Sequence, residues 1–198
     1  LGSLHAALGA SWRSLGDRER SEKHLREAVR NYRQTFGETA EQTLRAKYDL
    51  IRTLAYLQKF AEAEPMLEQT DREAGQALKT DGVLAFDSAL DHVIVNVQQQ
   101  NVERSMVALR RADQLQRVLY PSDVQLAATL RINLSDMLLR DGKPDDAEAM
   151  LRETLADPHF GVKYIGETYL SALRLNLARV LRNKGRYDEA LPLAEAAA

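Results

Sequence analysis

The stretch RINLSDMLLRDGKPDDAEAMLRE, Arg131 to Glu153, returns in altered form as RLNLARVLRNKGRYDEALPLAEA, Arg174 to Ala196. The two copies share Arg131/Arg174, Asn133/Asn176, Leu134/Leu177, Leu138/Leu181, Gly142/Gly185, Asp145/Asp188 and Ala147/Ala190, at a spacing of 43 residues. A fixed internal period of this length constrains the fold more than any other property of the chain, because each copy must be one supersecondary unit that is completed by its neighbours. The period runs further back. Leu8, Leu50, His92, Leu134 and Leu177 follow one another at steps of 42, 42, 42 and 43, with Gly16, Gln58, Gln100, Gly142 and Gly185 eight residues behind them. Small residues then recur at Ser21, Ala63, Ser105, Ala147 and Ala190, and Leu25, Leu67, Leu109 and Leu151 follow at the next turn of the pattern.

Within each copy the apolar residues fall at helical spacing. Leu44, Tyr48, Ile51 and Leu54 share one face, as do Phe60, Ala63, Met66 and Leu67. No sustained alternation or Asn-Gly hairpin suggests a strand. The turns LGDRER, RDGKPDD and NKGRYDE are short and polar, with a glycine suited to the left-handed end of a helix. The small positions let two helices approach, and the large residues fill the space above them. One such hairpin leaves a face uncovered, so the reading is all-α: about five stacked helix-turn-helix units, at 2–40, 41–82, 83–121, 122–164 and 165–198, forming one domain.

An apolar fraction of 44% supplies a core, and a formal charge of −2 argues against direct nucleic-acid contact. Cysteine is absent, so disulfides and thiol chemistry play no part. No apolar run approaches the roughly 20 residues that span a bilayer, so membrane insertion is not expected. A start at Leu1 and a stop within LPLAEAAA lead us to expect a fragment of a longer protein. Composition leaves the compartment open; the cytoplasm is favoured, or the periplasm if the parent is membrane-anchored.

The segments GRYDEA at 185–190, LGDRERSEKHLREAV at 15–29 and KFAEAEPML at 59–67 resemble the tetratricopeptide repeat. That family's basic unit is about 34 residues; the longer period here resembles the variant of kinesin light chains and of bacterial signalling proteins. Pro65 and Pro192 in second helices, INL and LNL at 132–134 and 175–177, and connectors such as FGETAEQTL and LYPSDVQLA carry the same resemblance. The third unit is the poorest match, with His92–Val93 in place of Leu–small and QQQN in place of a glycine turn. The connector ADPHFGVKYIGETYL at 156–170 is atypical too, and irregular stacking is expected there.

The resemblance implies a right-handed α-α superhelix whose first helices line a concave, peptide-binding groove. By family register the inward-facing positions are Arg13, Arg45, Tyr48, Arg52, Tyr56, Asn133, Asp136, Arg140, Asn176, Arg179, Arg182 and Asn183, together with Asp49, Asp87, Asp91, Ile94 and Gln98. Asn can donate to and accept from an extended backbone, Arg can grip a carboxylate bidentately, and Tyr offers flat area at small entropic cost. The arginine excess suggests a mild preference for acidic segments. Alternatives stand beside each role: Asn133 and Asn176 as braces between hairpins, the arginines as a solvated face, and Tyr48 and Tyr56 as core aromatics.

Histidines 5, 24, 92 and 159 lie in separate units without metal-ligand spacing, and no GxSxG, phosphate-cradling or kinase motif appears. The sequence therefore reads as non-catalytic, with no cofactor and no metal. The function expected is a scaffold that binds a protein or peptide. The alternative is a sensory or regulatory domain of a bacterial transcription regulator or Ser/Thr kinase, with its output domain elsewhere. A homodimer through terminal hairpins is a further expectation.

Overall fold

The computed structural model describes residues 1–197 and, among them, contains helices and turns but no strand. The chain divides into two compact units, 1–101 and 102–198. The first contains α1 (Gly2–Ser14), α2 (Arg18–Phe36), α3 (Glu41–Tyr56), α4 (Phe60–Ala74), the single turn α5 (Ala77–Thr80) and α6 (Gly82–Gln98). The second contains α7 (Val102–Leu119), α8 (Val124–Arg140), α9 (Pro144–Ala156), a 3₁₀ turn (Pro158–Phe160), α10 (Val162–Ile165), α11 (Glu167–Asn183) and α12 (Tyr187–Glu195).

The period read from the sequence reappears in the backbone. Gly16, Gln58, Gln100, Gly142 and Gly185 all have positive φ, between 58° and 83°. At each turn the next residue's N–H reaches back to the carbonyl five residues earlier: Asp17 to Trp12, Lys59 to Leu54, Asn101 to Asn96, Lys143 to Leu138 and Arg186 to Leu181, at 2.9–3.0 Å. This closure satisfies a carbonyl that the helix end leaves open. The turn geometry is thus invariant while the residue is not, and two glutamines accept a conformation that normally favours glycine.

Helix packing follows the small-and-large pattern. Ser21, Ala63, Ser105 and Ala147 are fully buried, and Leu25, Leu67, Leu109 and Leu151 are at most 1% exposed. In the first unit α1 packs on α2, α2 on α3, α3 on α4, and α6 on both α3 and α4. Their shared core joins Leu25, Leu44, Tyr48, Ile51, Leu54, Leu67, Leu84 and Val95, each large side chain contributing about 1.5–3 kcal/mol by leaving water. In the second unit α7 packs on α8, α8 on α9, and α11 on α8, α9 and α12. The atypical connector at 156–170 does not interrupt this packing. It folds into the 3₁₀ turn and α10, seats Phe160 and Ile165 in the interior, and packs on α8, α9 and α11.

Candidate functional site

Period and helix geometry line up the first helices α1, α3 and α6 in one unit, and α8 and α11 in the other. Their outward polar residues are largely spent on one another. Arg13 pairs with Asp49 at 2.7 Å, Arg45 with Asp87 at 3.1 Å and Arg52 with Asp91 at 2.7 Å. Arg45 also holds Glu41 at 2.9 Å. In the second unit Asp136 accepts from Arg179 at 2.6 Å and from Arg140 at 2.8 Å. Each arginine of the three long-range pairs in α1, α3 and α6 finds its aspartate on the next first helix, so the repeat builds a ladder of cross-helix ion pairs. The positive excess expected from a count of arginines is consequently neutralised within the protein at Arg13, Arg45, Arg52 and Arg179.

The remaining expected contacts divide clearly. Tyr48 is 1% exposed and its hydroxyl donates to Asp71 at 2.8 Å, so it belongs to the core and is not a groove contact. Burial and the Asp71 carboxylate together push its phenol well above the ordinary tyrosine range. Tyr56 is half-buried beneath the Arg18 guanidinium, 5.1 Å from the ring centre. Asn176 donates to the Ile132 carbonyl at 3.1 Å and to the Ser135 hydroxyl at 2.9 Å, which makes it a brace between α11 and α8. Its periodic counterpart Asn133 is exposed, as are Arg140, Arg182 and Asn183.

Two polar clusters escaped the sequence reading. Asp71 accepts from Tyr48, from Ser88 at 2.9 Å and meets His92 Nε2 at 2.7 Å. These bonds outweigh burial and hold its carboxyl below the ordinary range. His92, which stands where other units have leucine, is therefore accommodated by a carboxylate on α4. The second cluster is an ion network present twice. Glu22 accepts from Arg26 at 2.8 Å and Lys59 at 2.7 Å, while Arg26 also reaches Glu62 at 2.6 Å. Three periods on, Glu148 accepts from Arg152 at 2.8 Å, Lys184 at 2.6 Å and Arg186 at 2.7 Å, while Arg152 also reaches Glu189 at 2.8 Å. The repeated E-x-x-x-R spelling at 22–26 and 148–152 is the signal that identifies it.

On α11 and α12 a trough of about 610 Å³ brings together Asn176, Arg179 and Arg182 with Leu175, Tyr187 and Leu191. The last three are exposed apolar side chains, at 47%, 65% and 61%. Among the described residues no group of three or more His, Cys, Asp or Glu could hold a metal ion, and no helix is long and apolar enough to cross a membrane.

Helical hairpins joined by register-matched turns, with polar first-helix faces, define an α-α helical-repeat protein. More particularly, three segments of the chain, residues 6–40, 127–157 and 171–198, match the sequence model of the tetratricopeptide repeat. The second and third helix-turn-helix repeats, 41–82 and 83–121, lie outside the matched segments. Among solved structures, a Podosopora anserina protein assigned as a kinesin light chain with nearly identical TPR-like repeats superposes with a TM-score of 0.80 at 17% identity, over 98% of this chain and 92% of that one. BtubC (BKLC) from P. vanneervenii gives 0.81 at 17% identity, over 99% of this chain and 79% of the other. A thermophilic TPR protein of Thermus thermophilus gives 0.55 at 19% identity, over 99% and 90%. At such identities the likeness shows the fold alone. No curated protein matches the chain in sequence.

Proposed function

We propose that this chain is a non-catalytic scaffold that binds a protein segment, and that the α11–α12 face is its principal docking surface. The observation that carries this reading is the trough where Leu175, Tyr187 and Leu191 lie exposed beside Arg179 and Arg182. Apolar area beside a guanidinium suits a segment with a large apolar side chain and a neighbouring carboxylate. Arg182 is exposed, whereas Arg13, Arg45 and Arg52 already hold aspartates. The acidic preference therefore narrows to Arg182 and the outer edge of Arg179.

Selection from a random peptide library against the immobilised chain tests the proposal, with an Arg182→Ala/Leu191→Asp double variant beside the wild type. The expected result is an enriched apolar–acidic motif that the double variant loses while its circular dichroism stays helical. No enrichment, or the same motif enriched on both proteins, would overturn the reading.

A further inference from the structure

The cation at Arg131 occupies the same place in its unit as Lys47 does 84 residues earlier, and the two differ in what surrounds them. Lys47 is buried between two carboxylates, Glu38 at 2.6 Å and Glu73 at 2.5 Å. Carrying the register forward by 84 converts Glu38 into Ser122 and Glu73 into Asp157. Ser122 has no charge. Asp157 is engaged two residues further on, accepting from the His159 amide at 2.9 Å with the His159 ring also at 2.9 Å. Arg131 therefore has no ion pair at either of these two positions among the described residues, although Asp157 still acts on it at a distance.

What replaces them is incomplete. Arg131 is 9% exposed, and among the described residues its hydrogen bond is to the neutral Thr154 hydroxyl at 3.2 Å. Its Nε stops 3.9 Å from Asp113 Oδ1, and neither atom has a hydrogen-bond partner among the described residues, Asp113 being drawn instead to Arg117 at 3.0 Å. Burial first, and then the neighbouring Arg117, lower the guanidinium's pKa from its ordinary value against the opposing pull of Asp113, Glu153 and Asp157. A buried cation whose hydrogen bond goes to a neutral hydroxyl, with its nearest carboxylate 3.9 Å away, calls for an explanation, and an added anion is one.

The space for that partner is present. Arg131 lines a trough of about 460 Å³ with Ser122, Phe160 and Tyr164, and Arg117, Asp157 and His159 also line it. Phe160 comes from the atypical connector and lies with its ring 4.4 Å from the guanidinium carbon. The connector thus places an aromatic ring in the trough that Ser122, the register counterpart of Glu38, also lines. We propose that this trough binds a small organic carboxylate, its anion on Arg131 where Glu38 lies in the equivalent unit, and its flat apolar part against Phe160 and Tyr164. This site is separate from the α11–α12 face and stands independently of the scaffold reading.

Titration of the intact ¹⁵N-labelled chain with sodium benzoate, at constant ionic strength and with neutral benzamide as control, tests the proposal. A blocked Glu-Phe dipeptide titrated in parallel tells a free acid from an acidic side chain, the tighter of the two naming the source. The expected result is saturable shifts at residues 116–131 and 157–164 with a carboxylate, and none with benzamide. Ser122→Glu restores at this register the anion that Glu38 supplies to Lys47. It is expected to abolish those shifts and to raise the melting temperature by about 2–4 °C. Ser122→Gln, equally long but uncharged, is expected to keep binding within threefold. Absence of saturation with either carboxylate, an equal response to benzamide, binding that survives Ser122→Glu, or equal loss in Ser122→Gln would overturn the proposal.

Discussion

Arg52 Nε lies 2.7 Å from Oδ1 of Asp91, whose other oxygen is fully buried and has no hydrogen-bond partner among the described residues. One carboxylate oxygen is thus held and the other stranded. Burial is the larger influence and pushes Asp91 up to about 7, against the opposing pull of Arg52. Because the folded-state value is raised, this group's stabilising contribution is complete below the unfolded value of about 3.9 and is lost as pH rises towards 7. Asp91→Asn is expected to gain on the wild type between pH 4 and 7, by a few kcal/mol in all, with a constant difference above pH 7. Urea midpoints of both proteins at pH 4, 5.5, 7 and 8 measure this. A difference that does not change across the window would contradict it.

The opposite sign belongs to Glu148. Hydrogen bonds from Lys184, Arg152 and Arg186 hold it at about 2, below the ordinary glutamate range. Its contribution is therefore present above the unfolded value of about 4.3 and is lost as pH falls towards 2. Glu148→Gln is expected to lower stability by about 1 kcal/mol at pH 7, a modest figure because its cations are partly solvated. The cost should shrink in acid, as denaturation at pH 7 and pH 3 would show. Glu22→Gln should behave alike, since bonds from Lys59 and Arg26 overcome burial and lower Glu22 too.

Asn176 and Asn133 occupy the same register, yet only Asn176 bridges helices. Asn176→Ala is expected to cost about 1–2 kcal/mol by removing two cross-helix bonds. Asn133→Ala should change stability by under about 0.5 kcal/mol, as surface substitutions usually do. Thermal melts of the two single variants decide the matter. Equal costs would mean that the asymmetry has no energetic weight.

Backbone strain in the turns offers a further test. Gln58 and Gln100 sit at φ 60° and 58°, where a Cβ costs about 1–2 kcal/mol, partly offset by the greater unfolded-state entropy of glycine. Substituting glycine at either position is expected to stabilise by about 0.5–1 kcal/mol, measured as a higher denaturation midpoint. The reverse holds at Gly9. A Cβ there would lie 2.6 Å from Leu25 Cγ and press α1 off α2, so Gly9→Ala is expected to cost about 1–3 kcal/mol despite better helix propensity.

The hairpins were legible because their signals are local. The 42-residue step, the small positions Ser21 to Ala147 and the leucines that follow them are all visible in a string of letters, and each describes one helix touching its neighbour. Even the glutamine turn of the third unit could be placed by period, since the turn dihedral repeats where its residue type does not. The polar faces were less legible. A register assigns Tyr48 and Arg52 to the first-helix face, but it does not say that Asp71 draws the tyrosine inward or that Asp91 occupies the arginine.

By itself, then, the sequence determined the architecture: helix positions, turn positions and the identity of the packed residues follow from periodicity, because burial of apolar area repeats with the chain. Only the tertiary structure decided which charges remain free. Arg13 and Asp49 lie 36 residues apart, and Arg179 and Asp136 lie 43 apart, yet each pair meets within 2.7 Å. Lys47 and Arg131 share a register and differ in their anions. The physical reason is range. Apolar burial is non-directional and tolerates approximate placement, whereas an ion pair or hydrogen bond depends on distance and angle fixed by how separate helices pack.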